Sequence, residues 1–353
     1  MLFRRCAFAA IVLACASAVL AAAATSDADL LRRAQALFKP LPKAMQSASH
    51  PLTAPKVELG KMLYYEPRLS KSNTISCNSC HNLATYGVDN LPTSIGHRWA
   101  IGSSNSPTTL NAAAQVAQFW DGRAPDVEEQ AKGPILNPKE MGLAHANVAV
   151  ENVASIPEYV ALFQQAFPGE TEPVTYDNIA RAIGAFERTL TTPGRFDRYL
   201  AGDTAALSET QKKGLETFIA VGCTSCHKGA LFGGGTFDKF GVFRPYQELT
   251  GSQALDQGRF EQTKREDDRF VFKVAPLRNV ERTYPYFHDG SVWKLGDAIH
   301  VMAQAQLDKT LLPEEIDSIW AFLKTLTGEV PVEARTLPQL PPATDRTVRP
   351  DVN

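Results

Sequence analysis

The feature that most constrains this chain is a short pattern, Cys-x-x-Cys-His, that occurs twice. The first copy is Cys77, Cys80 and His81, and the second is Cys223, Cys226 and His227. Thiols at positions i and i+3 lie on one face of a helical turn, and a histidine at i+4 shares that face. The pattern is typical of haem c attachment, in which both thiols bind the porphyrin and the histidine binds the iron. It predicts two covalently bound haem c groups.

Three other uses of these cysteines fit the pattern less well. A dithiol redox pair does not need a histidine in both copies. A structural zinc site could combine cysteine and histidine, but its half-sites normally lie closer in sequence than residues 77 and 223. Two disulfides, each within one helical turn, would be strained.

Each haem iron has a second axial position, and the side chain there sets its role. A thioether raises the reduction potential, whereas an open position permits chemistry on a small molecule. Spacing alone does not choose among the remaining methionines and histidines. The candidates are Met45, Met62, Met141 and Met302, together with His50, His97, His145, His288 and His300.

The amino terminus has the three parts of an export signal. Arg4 and Arg5 precede an apolar stretch over residues 8–20, and alanines fill residues 21–24. This pattern predicts a signal peptide over residues 1–24, cleavage near Ala24 and a periplasmic location. A membrane anchor is the alternative, but the stretch is short for a span, so no stable membrane insertion is predicted. A lipoprotein anchored at Cys15 is a second alternative, because residues 12–15 loosely resemble a lipobox.

Composition and length restrict the class of protein further. The chain has 353 residues, a hydrophobic fraction of 44% and a charged fraction of 21%, which exclude disorder for the bulk and suggest about two domains. Its net charge of −2 offers no basic excess to pair with phosphates. Nucleic-acid binding is therefore not expected.

The apolar residues recur mostly at helical spacing, which predicts a mostly α fold with little β structure. Helices are expected before Pro40, on both sides of Pro157, after Thr175, after Ser208 and from Pro313. In the last of these, the residues expected to be buried are Ile316, Ile319, Trp320 and Leu323. Residues 270–274 alternate like a strand. The predicted domains are two cytochrome c-like haem units, residues 25–200 and 201–330, followed by a proline-rich tail over residues 331–353.

Several short motifs accompany the two haem-attachment sites. They are Phe119-Trp120-Asp121-Gly122-Arg123-Ala124, Asn137-Pro138-Lys139-Glu140-Met141, Leu277-Arg278-Asn279 and Tyr286-Phe287-His288-Asp289-Gly290. In this order, over about Pro55 to Gly328, the set resembles the bacterial dihaem cytochrome c peroxidases.

The resemblance implies roles for residues around the first haem, which is held by Cys77, Cys80 and His81 and is the low-potential, peroxide-reducing one. His97 matches a loop histidine that caps this iron in the oxidised enzyme. Glu140 matches the catalytic acid–base, which moves a proton between the two peroxide oxygens. Gln130 matches an amide of the distal pocket that orients peroxide.

The second haem, on Cys223, Cys226 and His227, resembles the high-potential haem through which electrons enter. Met302 matches its axial thioether, and Trp120 matches a tryptophan between the two haems. The family also binds calcium between its domains. Asn105, Thr283 and Pro285 match those ligand positions.

The implied activity is reduction of hydrogen peroxide to water with electrons from a small periplasmic cytochrome c or cupredoxin, in a homodimer. Two alternatives remain. A MauG-like dihaem oxidase that modifies a partner protein carries a tyrosine at the position of Met302, so the methionine favours the peroxidase. A dihaem electron-transfer protein without catalysis would have both irons six-coordinate.

Overall fold

The structure is a computed structural model, and it describes residues 26–253 and 256–352. The predicted signal peptide, its cleavage site and Cys15 lie outside the described residues. Along the described part of the chain, no helix is both long enough and apolar enough to cross a bilayer.

The described residues are mostly helical, as the apolar spacing predicts. The helices are α1 (Ser26–Leu37), α2 (Ala54–Tyr64), α3 (Cys77–Cys80), α4 (Val127–Leu136), α5 (Ala146–Ala154), α6 (Pro157–Ala166), α7 (Tyr176–Glu187), α8 (Arg195–Leu200), α9 (Glu209–Val221), α10 (Tyr246–Thr250), α11 (Phe260–Thr263), α12 (Leu295–Leu307), α13 (Pro313–Leu323) and α14 (Val332–Arg335). Strands β1 (Phe237–Lys239) and β2 (Val271–Lys273) pair antiparallel. This small sheet confirms the predicted fold class.

Local signals in the sequence explain where several helices begin. Thr175 accepts a hydrogen bond from the backbone N–H of Asn178 and caps α7. Ser208 and Gln211 form the predicted capping box at the start of α9. Pro157 begins α6 at its first position, where a missing N–H costs nothing. Pro313 begins α13 in the same way.

The predicted burial of Trp320 is wrong. Ile319 and Leu323 are buried, but Trp320 is 37% exposed. Trp320 follows Ile319 directly, so it lies about 100° further round the helix and leaves the apolar stripe. Its ring contacts the Lys324 ammonium, 5.0 Å from the ring centroid.

Two cores divide the molecule. In the first, α2 crosses α7, and Leu59, Leu63, Ile179 and Ile183 are fully buried. In the second, α9 crosses α13, and Leu215, Phe196 and Phe322 pack together. Each core lies beside one Cys-x-x-Cys-His sequence.

The two ends of the described chain each pack against the more distant core. Helix α1 contributes Leu30 and Ala34 to the second core, and Phe38 stacks on Phe232 with ring centroids 4.1 Å apart. The tail contributes Val330 and Ala334 to the first core. It continues along α5, where Val348 donates its N–H to the Asn152 side chain at 3.2 Å. The tail is therefore extended over the surface.

Candidate active site

The two Cys-x-x-Cys-His sequences form single turns after a buried helix or loop. Cys77 and Cys80 bound helix α3, whose first turn is closed by a hydrogen bond from Ser76 N–H to Ser79 Oγ at 3.0 Å. Cys223 begins a 3₁₀ turn directly after α9. All four thiols are free of disulfides in the described structure. Burial raises the pKa of Cys80 and of Cys223 to about 11. A redox-active dithiol needs a depressed thiol pKa, so this environment does not favour that alternative.

Each pair of thiols opens onto its own cavity, which tests whether a haem fits. One cavity, of about 500 Å³, is lined by Cys77, Cys80 and His81. The other, of about 250 Å³, is lined by Cys223, Cys226 and His227. Both histidines are part of the cavity walls beside the thiols, as covalent attachment with proximal ligation requires. The residues present therefore fit two haem c groups.

The two motif histidines are held in different ways, one through its ring and the other through its backbone. Nδ1 of His227 lies 2.9 Å from the carbonyl oxygen of Phe232. A proton on Nδ1 would bond this carbonyl and leave Nε2 free for the iron. The turn of His81 is held from its backbone, because Tyr64 donates its hydroxyl to the His81 carbonyl at 2.6 Å.

The larger cavity contains both predicted distal residues. Gln130, on α4, and Glu140, in the turn after α4, both line it. Asn137 donates its side-chain amide to Glu140 Oε1 at 2.6 Å and fixes the orientation of the carboxyl. Burial raises the pKa of Glu140, while the Asn137 hydrogen bond and the charge of Arg123 act in the opposite direction. A carboxyl in this position can hold or release a proton inside the cavity.

His97 lies against the Glu140 turn rather than in the cavity. Its backbone N–H donates to the Glu140 carbonyl at 2.7 Å, and its ring contacts the space beside Gly142. The ring is buried, and neither nitrogen has a hydrogen-bond partner among the described residues. Gly96 and Gly102, from the same loop, do line the cavity, whereas the described lining does not include His97. The loop therefore reaches the site with its histidine turned away.

Met302 shares the smaller cavity with His227. It lies on α12, which crosses the second core next to α13. The other axial candidates are mostly elsewhere: Met45 is buried in a small separate cluster, His50 lies 3.6 Å from Asp126, and Met141 lines the larger cavity. His288 also lines the smaller cavity, but its ring stacks on Phe272 with centroids 4.2 Å apart.

A single wall separates the two cavities. Trp120 and residues 105–108 line both of them. Trp120 donates its indole N–H to the Asn105 carbonyl at 2.8 Å, which fixes the ring in this wall. Asn105 is buried, and Thr283 and Pro285 lie on the smaller-cavity side of the same region. The three predicted calcium ligands are thus close to the wall, and their oxygens are of the type that calcium prefers.

Several charged residues that line the larger cavity had no role predicted from the sequence, and Glu187 and Arg123 are two of them. Glu187, the last residue of α7, is buried and lines it, and burial together with Glu128 raises its pKa to about 8. The neighbouring Arg188 donates two hydrogen bonds to the Glu128 carboxylate, at 2.7 and 2.8 Å. Glu187 falls four residues after Ile183 and therefore lies on the apolar stripe of α7. A carboxylate on that stripe is the sequence signal that could have indicated a buried Glu187.

Arg123 is the second missed residue. Its guanidinium lies over the Phe119 ring at 3.4 Å and pairs with Asp121 at 2.9 Å. It also lines the larger cavity, where its charge acts on Glu140. No spacing in the sequence links Arg123 to Glu140, because the contact depends on how the 119–124 segment folds back on α4.

Comparisons with known proteins agree with this arrangement. Residues 54–205 match the family described as di-haem cytochrome c peroxidase. The chain is 48% identical to the cytochrome c551 peroxidase of Pseudomonas aeruginosa, over 92% of this chain and 94% of that protein. It is 50% identical to the cytochrome c551 peroxidase of Nitrosomonas europaea, over 85% of this chain and 87% of that protein.

Among solved structures, a MauG-like protein associated with microbial copper homeostasis is similar over 85% of this chain and 97% of its own. The TM-score is 0.73 and the sequence identity 26%. The chain belongs to the di-haem cytochrome c peroxidase family. This confirms the resemblance, the mostly helical fold class and the assignment as a peroxidase. Membership also implies haem c as the cofactor.

Proposed function

We propose that this protein reduces hydrogen peroxide to water with two electrons from a small periplasmic cytochrome c or cupredoxin. The observation that carries the proposal is a pair of cavities that share one wall, each beside one Cys-x-x-Cys-His sequence, with the carboxyls of raised pKa, Glu140 and Glu187, lining the larger one. When bound, the haems supply the iron that reduces peroxide and a second centre that stores an electron. The unequal surroundings of the two cavities assign these tasks.

Glu140 acts as the acid–base in this proposal. A half-buried carboxyl with a raised pKa can take the proton from one peroxide oxygen and return it to the other. Asn137 keeps Oε1 in place, and Gln130 offers an amide from the same cavity wall.

His97 acts as a gate that caps the peroxide site when its loop changes position. Its buried ring has two nitrogens without partners in the described structure, so no hydrogen bond there offsets the cost of burying the imidazole. Movement of the loop would have to break the His97–Glu140 backbone bond. Occupation of the site by His97 and correct placement of Glu140 are therefore linked.

Met302 and Trp120 organise electron transfer. A methionine opposite His227 favours the reduced state, which suits the haem that receives electrons. Trp120 lies in the wall between the cavities and provides a conjugated ring between the two sites. Calcium bound by Asn105, Thr283 and Pro285 would hold this wall, because Asn105 also accepts the Trp120 hydrogen bond.

Location and assembly complete the proposal. A signal peptide over residues 1–24 would deliver the chain to the periplasm, where haem c is attached to thiols. The protein is proposed to work as a homodimer. Turnover measured with a reduced cytochrome c and with a reduced cupredoxin identifies the electron donor.

The test is the variant Glu140→Gln, which keeps the size of the side chain and its hydrogen bond with Asn137. Peroxide turnover with a reduced donor is expected to fall by about 10²–10⁴-fold, the usual worth of a positioned acid–base. The optical spectra of both haems are expected to persist. The matched control is Glu158→Gln, since Glu158 is exposed on α6.

The same measurement separates the alternative functions. Full turnover by Glu140→Gln would contradict the role of Glu140. An absence of peroxide turnover in the parent protein, with two attached haems and normal spectra, would favour the electron-transfer protein. Oxidation of a partner protein in place of the small donor would favour the MauG-like oxidase.

A further inference from the structure

A second set of redox-capable side chains adjoins Trp120 on the side away from the peroxide site. The His288 ring lies 6.3 Å from the Trp120 ring, and the Tyr246 ring lies 5.1 Å beyond it, as measured between centroids. The Tyr246 hydroxyl is 3.3 Å from Nε2 of His288. We call Trp120, His288 and Tyr246 the aromatic relay.

The outer part of the relay is shielded from solvent and held by other rings. Tyr246 is 1% exposed and His288 is 2% exposed. Phe240 stacks on Tyr246 with centroids 4.5 Å apart and planes 5° apart, and Phe272 stacks on His288. The Tyr246 hydroxyl contacts the imidazole and also interacts with the Gln247 side chain. A buried phenol beside a proton acceptor can lose an electron and a proton together without leaving a charge on the phenol.

Nearby carboxylates favour the imidazole as the acceptor of that proton. Burial lowers the pKa of His288, and the charges of Asp289 and Asp256 act against that effect. Oδ2 of Asp289 is buried and has no hydrogen-bond partner within the described ranges, so its charge is available to a neighbouring cation. The two carboxylates therefore offset part of the cost of placing the phenol proton on His288.

We propose that Tyr246 is an internal electron donor that protects the enzyme when its stored electron has been used. Reduction of one peroxide takes two electrons and two protons and gives two waters, and both protons come from solvent. With no electron left on the carboxyl-terminal haem, and with the His97 ring outside the cavity as in this structure, the amino-terminal haem would supply one electron. Tyr246 supplies the other, through His288 and Trp120. The Tyr246 phenol gives its proton to Nε2 of His288 and becomes a neutral tyrosyl radical. This proposal rests on the proposed function, because peroxide is the oxidant.

The experiment uses the holoenzyme with its carboxyl-terminal haem reduced, no external donor, and several equivalents of hydrogen peroxide. The first equivalent consumes the stored electron, and later ones must draw on the protein. Freeze-quench electron paramagnetic resonance is expected to show a radical that narrows when tyrosine is ring-deuterated. Tyr246→Phe is expected to lose this signal and His288→Phe to diminish it. Peptide mass spectrometry is expected to find oxidised Tyr246 in the parent protein.

The matched control is Tyr199→Phe. Tyr199 is also fully buried in the second core, but its hydroxyl has no hydrogen-bond partner among the residues described, so it lacks a proton acceptor. This variant is expected to keep the radical. Steady-state turnover with donor is expected to be unchanged in Tyr246→Phe, which also shows that the variant folds.

Three outcomes would overturn the proposal. The first is no protein radical although optical spectra show that the carboxyl-terminal haem has been oxidised by peroxide. The second is an equal radical in Tyr246→Phe. The third is a signal that narrows only with deuterated tryptophan, which would end the relay at Trp120. Failure of the parent protein to consume peroxide even with donor would instead contradict the proposed function, and this proposal with it.

Discussion

At the scale of single residues, burial and two side chains set the proton affinity of Glu140 in the larger cavity. Burial is the largest influence and raises its pKa, whereas Asn137 and Arg123 lower it. Arg123 is held over Phe119 and paired with Asp121, so its charge is fixed relative to the cavity. The sequence indicated Glu140 and Gln130 through the resemblance, but it contained no signal for this balance.

The balance predicts a shift in the pH dependence of peroxide reduction. Glu140 must be ionised to accept a proton, and its pKa is raised, so the rate falls as pH decreases through a value above the ordinary range for glutamate. Arg123→Gln removes a positive charge that favours the ionised form. The acid limb is therefore expected to move to higher pH. Turnover measured against pH in this variant and in Arg32→Gln, an exposed arginine of α1, checks the prediction. An unmoved limb in Arg123→Gln would contradict it.

At the scale of elements, the two halves share one arrangement, in which two helices cross at a glycine. Helix α2 approaches α7 at Gly60, where a Cβ would overlap the Ala182 carbonyl, and α9 approaches α13 at Gly214, where a Cβ would overlap the Ser318 carbonyl. In each pair a phenylalanine, Phe186 or Phe322, packs beside the glycine. The sequence halves share little identity beyond the haem motifs, yet this crossing recurs. The recurrence supports an internal duplication.

These crossings predict the effect of adding one methyl group. Gly60→Ala and Gly214→Ala are each expected to lower the free energy of unfolding by about 1–3 kcal/mol, the usual cost of overpacking, because backbone cannot move aside like a side chain. The control is Gly296→Ala in α12, where the new Cβ would meet only Ile316 Cγ2 at 3.6 Å. That change is expected to be neutral or to stabilise by up to about 1 kcal/mol through helix propensity. Urea denaturation of the three variants measures all of these values. Equal stability of Gly60→Ala and Gly296→Ala would contradict the interpretation.

Helices and motifs were predictable because their causes are local. Thr175, Ser208 and Pro313 act within one turn, and their helices begin at or directly after them. The haem-attachment residues were predictable for the same reason, because the Cys-x-x-Cys-His spacing alone places two thiols and a histidine on one turn. Trp120, Asn105 and Pro285 meet only through tertiary packing, so the resemblance was needed to connect them. The inward carboxyl of Glu187 and the contact of Arg123 with the cavity depend on packing alone.

At the scale of the whole molecule, the chain exchanges its ends between the two cores. Helix α1 packs with α8 and with Phe232 in the second core, whereas the tail after residue 328 packs on the first. The spacing of apolar residues on α1 predicted that one face of this helix is buried. Spacing alone does not predict which of the two cores that face contacts. We propose that the functional units are residues 54–190 with the tail, and residues 195–328 with α1. This modifies the division at residue 200 predicted from the sequence.

This exchange predicts that a substitution near the amino terminus weakens the unit of the second haem. Phe38 is buried against Phe196 and Phe232, and Phe38→Ala is expected to cost about 3–5 kcal/mol, as for other buried aromatic truncations. Hydrogen-exchange mass spectrometry is expected to show lost protection in α8, α9 and α13, while α2 and α7 keep theirs. The complementary control, Leu63→Ala in the first core, is expected to reverse the pattern. Loss of protection confined to α2 and α7 in Phe38→Ala would show that α1 belongs to the first unit, because exchange follows the stability of the segment that opens.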